Sequence, residues 1–350
     1  MRLVRPMKVG EALTLAQTNV PEAPPAAYAP GTTYADGAQV SDLDADGFTY
    51  RVYQSLADGN LGHPLDDGAW WFALADTYAA WSEGTTYAAG HRVISTDTHH
   101  AYESLAADNL GNAVTDVTKW LDLGATNAYA MFDQFNSTQT AAARSVSFEV
   151  TVAGRADAVA LLNLVAASVD IEMSTAGDGV IFSRSYNLVS NSGINSWYEY
   201  YFEPIIRRGD LVAYDLPNYA NPTFRITIHE PAGTAKIGVA VIGQSKQLGD
   251  LLIGAKTGIQ DYSRKETDDF GNFTIVQRAY AKRATYKLRV DNTRIDALSA
   301  LLASYRAEPI VWVGADTYTS TWVYGFYRDF SIEIAFALDS YLSLELEGLT

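Results

Sequence analysis

Cysteine is absent from all 350 residues. That excludes disulfides, thiolate metal sites and cysteine nucleophiles, and it leaves the redox compartment open. Basic charge is scarce, with 25 Lys+Arg against 41 Asp+Glu and a formal net charge of −16. Phosphate contacts need Lys and Arg, so nucleic acid is not expected as a partner. No apolar run approaches the roughly 18 residues that a spanning helix needs, so no membrane span is expected. The opening "MRLVRPMKVGEALTL" lacks the unbroken apolar stretch and small-residue cleavage site of a signal peptide. That predicts synthesis in a cytoplasm.

Catalytic signatures are missing too. There is no G-x-S-x-G elbow and no H-E-x-x-H pair. "GDLLIGAKT" (Gly249–Thr257) places Ala255 between Gly254 and Lys256. A phosphate loop needs its Gly and Lys adjacent, so that backbone N–H groups and the ammonium converge on the phosphates. The acidic pairs Asp66-Asp67 and Asp268-Asp269 are sequence neighbours. Neighbours on a strand point to opposite faces, so neither pair brackets a glycosidic bond. No catalytic residue and no cofactor is expected, and the chain does not read as an enzyme.

What is present is a folded composition, 48% hydrophobic and 19% charged, and an internal duplication. "SLADGNLGHPLDDGAWW" (Ser55–Trp71) returns as "SLAADNLGNAVTDVTKW" (Ser104–Trp120). Aligned in full, Tyr28 falls over Trp81, Gly31–Tyr34 over Gly84–Tyr87, Gly37 over Gly90 and Val40 over Val93. Further on, Tyr53 falls over Tyr102, Asn60 over Asn109 and Trp71 over Trp120. The offset is 53 before Val40 and 49 after Tyr53, so the first copy carries four extra residues between them. A hairpin loop tolerates such an insertion. Each copy predicts a small three-stranded β module held by its rings, because a few Trp and Tyr give a tiny fold its core most economically.

Acidity is concentrated in this region. Residues 26–124 hold 14 Asp+Glu against 3 Lys+Arg, a net of −11, which reads as a solvated outer surface. Asp42, Asp44 and Asp46 in "DLDADG" sit in the insertion and match the start of a calcium loop, but the twelfth position is Tyr53 and not Glu. An Asp/Gly-rich hairpin tip is the favoured reading. His91, His99 and His100 share the second copy without ligand spacing and read as loop residues.

From about Ala125 the texture changes. "SVSFEVTV", "FRITIHE", "TYKLRV", "FSIEIAF" and "YLSLELEGL" alternate with period two, as half-buried antiparallel strands do. One helix is expected from "DNTRIDALSALLASYRA", capped by Asn292 or Thr293, with Ile295, Leu298, Leu301, Leu302 and Tyr305 on its buried face. The expected architecture is therefore mainly β. An arm and Pro/Ala linker (1–27) precede module one (28–75) and module two (76–124), followed by a β-sandwich (125–245) and an α+β unit (246–350).

The module pattern, with Trp81, "YAAGHRV", Tyr102, Asn109 and Trp120-Leu121-Asp122-Leu123-Gly124, resembles chitin-binding-type carbohydrate-binding modules of the family 5/12 kind. The resemblance implies a glycan partner on a bacterial surface. Sugar-binding members place exposed rings just after the central Tyr, where this chain has "QSLAD" and "ESLAA". Tyr50 and Trp70 are the candidate glycan-binding residues, being extra rings of the first copy with none opposite them in the second. The remainder, through "TNAYAMFDQFNSTQT", "DYSRKETDDFGN" and "VYGFYRDFSIEI", resembles a tailed-bacteriophage virion protein found near the tail tip. That resemblance implies a non-enzymatic structural protein assembled in the host cytoplasm. Its partners would be other tail proteins and further copies of itself in a ring. The alternatives are a secreted polysaccharide-active enzyme and a freestanding glycan-binding protein.

Overall fold

The computed structural model describes residues 1–190, 196–202, 206–267 and 270–349. It is 53% strand and 7% helical, which places the chain in the mainly β class expected from its alternation. Among the described residues no helix is long and apolar enough to cross a membrane.

The first strands, β1 (Arg2–Pro6) and β2 (Leu13–Thr18), belong to the body of the protein. Module one follows as β3 (Gln39–Leu43), β4 (Thr49–Ser55) and β5 (Trp71–Tyr78), with a short ladder of Thr33–Tyr34 on Asn60–Leu61. Module two repeats this as β6 (Arg92–Ser95), β7 (His100–Ser104) and β8 (Trp120–Ala125), with Thr86–Tyr87 on Asn109–Leu110. Both three-stranded sheets place the middle strand of the sequence at their centre. The four extra residues fall in the β3–β4 hairpin, as the alignment predicts.

The body begins with β9 (Thr140–Val152), β10 (Ala158–Leu162), β11 (Ser168–Thr175) and β12 (Gly179–Asn187). A short helix, α1 (Trp197–Phe202), precedes β13 (Leu211–Ala213), β14 (Thr223–Ile237) and β15 (Val239–Gln247). Then come β16 (Lys256–Asp261), the hairpin β17 (Arg264–Thr267) and β18 (Phe273–Val276), and β19 (Tyr280–Asp291). The chain closes with α2 (Ile295–Ser304), β20 (Ile310–Val313), β21 (Trp322–Glu333) and β22 (Asp339–Gly348).

Two antiparallel sheets carry the body. The smaller runs β12-β11-β14-β9-β2, and the larger runs β13-β10-β15-β1-β20-β21-β22-β19, with β16 also paired to β19. Alternate residues of β9, β11 and β14 (Phe148, Val150, Ile171, Met173, Phe224 and Ile226 among them) meet Val159, Leu161 and Ile242 of the larger sheet in one core. The other end of the larger sheet buries Tyr286, Trp312, Leu342 and Leu344 beneath Leu298 and Leu302 of α2. Its remaining face buries Val4, Ala160, Val241, Val311 and Tyr324. The sheet curls so far that Lys282 on β19 donates a hydrogen bond of 2.6 Å to Asp210, beside β13 at the opposite end.

Residues 1–27 supply a central strand of the larger sheet and an edge strand of the smaller one. Leu3 and Val4 are both fully buried because β1 has a covered face on each side. At Gly243 the carbonyl of Arg5 passes where a side chain would stand, so β1 and β15 approach through a glycine. Val20 is buried in the main core, and the carbonyls of Glu22 and Pro25 accept hydrogen bonds from Thr77 and Ser41. The segment read as a linker is therefore pinned along its length. The boundary expected near 245 falls inside β15, whose sheet draws strands from both sides of it. Burial on both faces removes the period-two signal from β10 and β15, which hid this continuity in the sequence.

Candidate functional site

The two modules are built from the same contacts, which fixes what most of their rings do. The Tyr34 and Trp71 rings meet edge-on at 5.2 Å and 72°, and Tyr87 and Trp120 at 5.2 Å and 70°. Trp71 Nε1 donates to the carbonyl of His63 at 2.9 Å, and Trp120 Nε1 to that of Asn112 at 3.0 Å. Asn60 Nδ2 donates to Ser55 Oγ and Asn109 Nδ2 to Ser104 Oγ, both at 3.0 Å. Apart from the half-buried Tyr34, these rings and amides are buried, and all are partnered within their module. Their aromatic content serves the fold, as expected for so small a core.

Tyr50 and Trp70 do not share a platform. Tyr50 lies opposite Thr77 in the β4–β5 ladder, whereas Ser55 lies opposite Trp71, the neighbour of Trp70. Five residues of strand separate those positions, about 17 Å at ~3.3 Å per residue. Both rings are half-buried. Trp70 is stacked on the His63 imidazole at 4.0 Å and 12°.

The acidic and histidine positions also disperse. The Thr49 side chain, with the backbone N–H groups of Phe48 and Thr49 that donate to Asp46 Oδ1, holds the Asp46 carboxyl below the usual range. Asp44 accepts from Arg51 and from the Ala45 N–H. Among the described residues no three His, Asp or Glu side chains converge as metal ligands would. His91 meets Tyr87 and Phe48, His99 pairs with Glu22, and His100 pairs with Asp122. Asp67 pairs with His63. Asp268 and Asp269 lie outside the described residues.

The modules differ in what lies against them. Val52 and Leu74 of module one belong to the same buried cluster as Met131, Val146 and Phe148 of the body. Phe72 packs on that cluster, and the Arg144 guanidinium sits 4.7 Å over its ring. Module two keeps its own cluster of Tyr87, Val93, Tyr102 and Trp120. It is tethered at one end, where His99 stacks on Tyr129 at 3.6 Å and bonds Glu22 at 2.9 Å, and Glu22 also accepts from Thr126. The inserted hairpin of module one reaches over to it, with Phe48 meeting His91 at 5.4 Å.

Beyond the modules, a trough of about 860 Å³ runs beside β1, lined by Arg5, Lys8, Asp133, Arg155, Lys246 and Tyr324 among others. Burial raises the Asp133 carboxyl above its ordinary range, against the bonds it accepts from Thr138 and the Phe135 N–H. Burial likewise pushes Tyr324 up to about 12. Arg5 makes two bonds to Glu308. The lining suits binding of a mixed polar and apolar group.

Large apolar side chains stand exposed on excursions from the body. They include Trp197, Tyr198, Tyr201 and Phe202 on α1, Phe273 and Ile275 on β18, and Ile334, Phe336 and Leu338 between β21 and β22. Sequence reasoning counted "FSIEIAF" as one strand through Phe336, yet β21 ends at Glu333. Alternation alone does not separate a covered face from an uncovered one. No known protein family matches the chain, and no curated protein sequence does.

Proposed function

We propose that this chain is a structural subunit of a bacteriophage tail, in the tail-tip or baseplate region. Its body assembles with other tail proteins and with further copies of itself in a ring. The modules contact a host-surface glycan or a neighbouring subunit. The observation that carries this reading is the set of exposed apolar side chains on α1, on the β17–β18 hairpin and on the 334–338 loop. A body with well-filled cores that still presents such surfaces has contacts left to make. The resemblance of residues 125–350 to tail-tip proteins gives those contacts their setting. The test is mass spectrometry of gradient-purified particles from the producing strain, with gold-labelled antibody for position. The chain should copurify with particles and label one end of the tail. A chain that stays in the particle-free fraction overturns the proposal.

A further inference from the structure

The trough beside β1 exists because a strand leaves the larger sheet there. β1 ends at Pro6, opposite Gly243, and the Met7 N–H makes one more bond, to the carbonyl of Ile242. Val239–Val241 of β15 continue beyond that point with β10 on one side. On the other side, among the described residues, they have no strand. The gap of about 860 Å³ falls within the roughly 300–1,000 Å³ that suits a small organic molecule. Val239, Ala240, Val241 and the Tyr305 ring form its buried, apolar lining.

The charges on its walls do not balance. Arg5 is held by two bonds to Glu308 and lies 5.0 Å over the Tyr305 ring. Lys8 and Glu11 face each other at 4.0 Å. Asp133 accepts from Thr138 and from the Phe135 N–H, and burial raises its carboxyl toward the neutral form. Arg155 and Lys246 are left over. Both are exposed, and neither makes an ion pair among the described residues. Gln244 links them along the wall. Its side chain shares a face of β15 with that of Lys246, two residues on, and its Nε2 donates to the Arg155 carbonyl at 3.2 Å.

We propose that the trough binds an organic anion, a carboxylate carried on an apolar chain. Arg155 and Lys246 take the carboxylate, and the Val239–Val241 lining takes the chain. A molecule with a formal net charge of −16 repels anions overall, so two free cations beside an apolar gap are a local exception to its field. Exposed ion pairs contribute little by themselves, whereas each buried methylene adds appreciably. The chain therefore supplies most of the affinity, and the cations select the sign of the head group. This inference goes beyond the tail reading. It concerns a small ligand of the purified chain, and its outcome leaves the test on particles unaffected.

Isothermal titration calorimetry of the full-length protein at low salt tests it, with decanoate as the probe. Decanoate should occupy one site per chain, at least about fivefold more tightly than octanoate, which is two methylenes shorter. Decyltrimethylammonium, an amphiphile of like chain and opposite charge, should bind at least about fivefold more weakly than decanoate. Arg155→Glu with Lys246→Glu should weaken decanoate at least about fivefold, and Arg155→Gln with Lys246→Gln should weaken it by a smaller factor. Both side chains are exposed, so these changes leave the cores in place. Lys256→Glu with Lys265→Glu makes the same charge change where Ile259 and Phe273 are exposed, and should leave the affinity within about twofold. Absence of decanoate binding, preference for the cationic amphiphile, or equal weakening by the two charge reversals overturns the proposal. So does decanoate binding that the Arg155 and Lys246 substitutions leave unchanged.

Discussion

At the scale of single residues, the duplicated module gives matched pairs whose differences isolate individual interactions. Asn60 and Asn109 hold the same place and make the same bond to a serine hydroxyl. Asn109 Oδ1 also accepts from Asn112 Nδ2 at 2.8 Å, whereas Asn60 Oδ1 has no partner among the described residues. The reason is one substitution, since the position of Asn112 is taken by His63, whose ring has turned to stack on Trp70. An unmade bond to a buried oxygen is costly, and a typical made one contributes about 0.5–1.5 kcal/mol. Asn109→Ala should therefore destabilise its module by about 0.5–1.5 kcal/mol more than Asn60→Ala does. Urea unfolding followed by tryptophan fluorescence measures this. Equal losses would mean that the second bond contributes nothing.

At the scale of elements, strands β5 and β8 share a β-bulge that leaves Leu74 and Leu123 unpaired in matching places, but in different surroundings. Leu74→Ala removes a side chain from the main core and should cost about 2–5 kcal/mol. Leu123→Ala removes a solvated one and should stay within about 0.5 kcal/mol in the isolated protein. Chemical denaturation of both variants tests the pair. Comparable losses would contradict the assignment of one docked and one open face. Much at this scale was legible in the sequence. Alternation located β9, β14, β19, β21 and β22. The helix came with its buried Leu298, Leu302 and Tyr305, although neither Asn292 nor Thr293 caps it: both lie in a short 3-10 turn (292–294) that Asp291 caps by accepting the Thr293 N–H, and α2 itself starts after Arg294 without a side-chain cap. The insertion fell in the hairpin where the offset put it. Less legible were β10 and β15, because a strand covered on both faces reads as an unbroken apolar run. The exposure of Leu121 and Leu123 was not legible at all, since sequence identity between copies says nothing about what each copy packs against.

For the whole molecule, the segment before residue 125 is not an appendage on a tether. β1 and β2 are woven into both body sheets, Val20 is in the main core, and module one closes over β9. Module two keeps its own small core and is joined to the rest at Glu22, His99 and Tyr129 and by the Phe48–His91 contact with module one. Stability should be graded in the same order, because local opening is governed by buried apolar contact rather than by fold type. Two copies of one fold thus sit in two packing states. Hydrogen exchange of the full-length protein, followed by mass spectrometry, tests it most directly. The amides of β3–β5 should exchange as slowly as those of β9, and the amides of β6–β8 should open well before either. Matched protection of the two modules, or module one opening first, would contradict it.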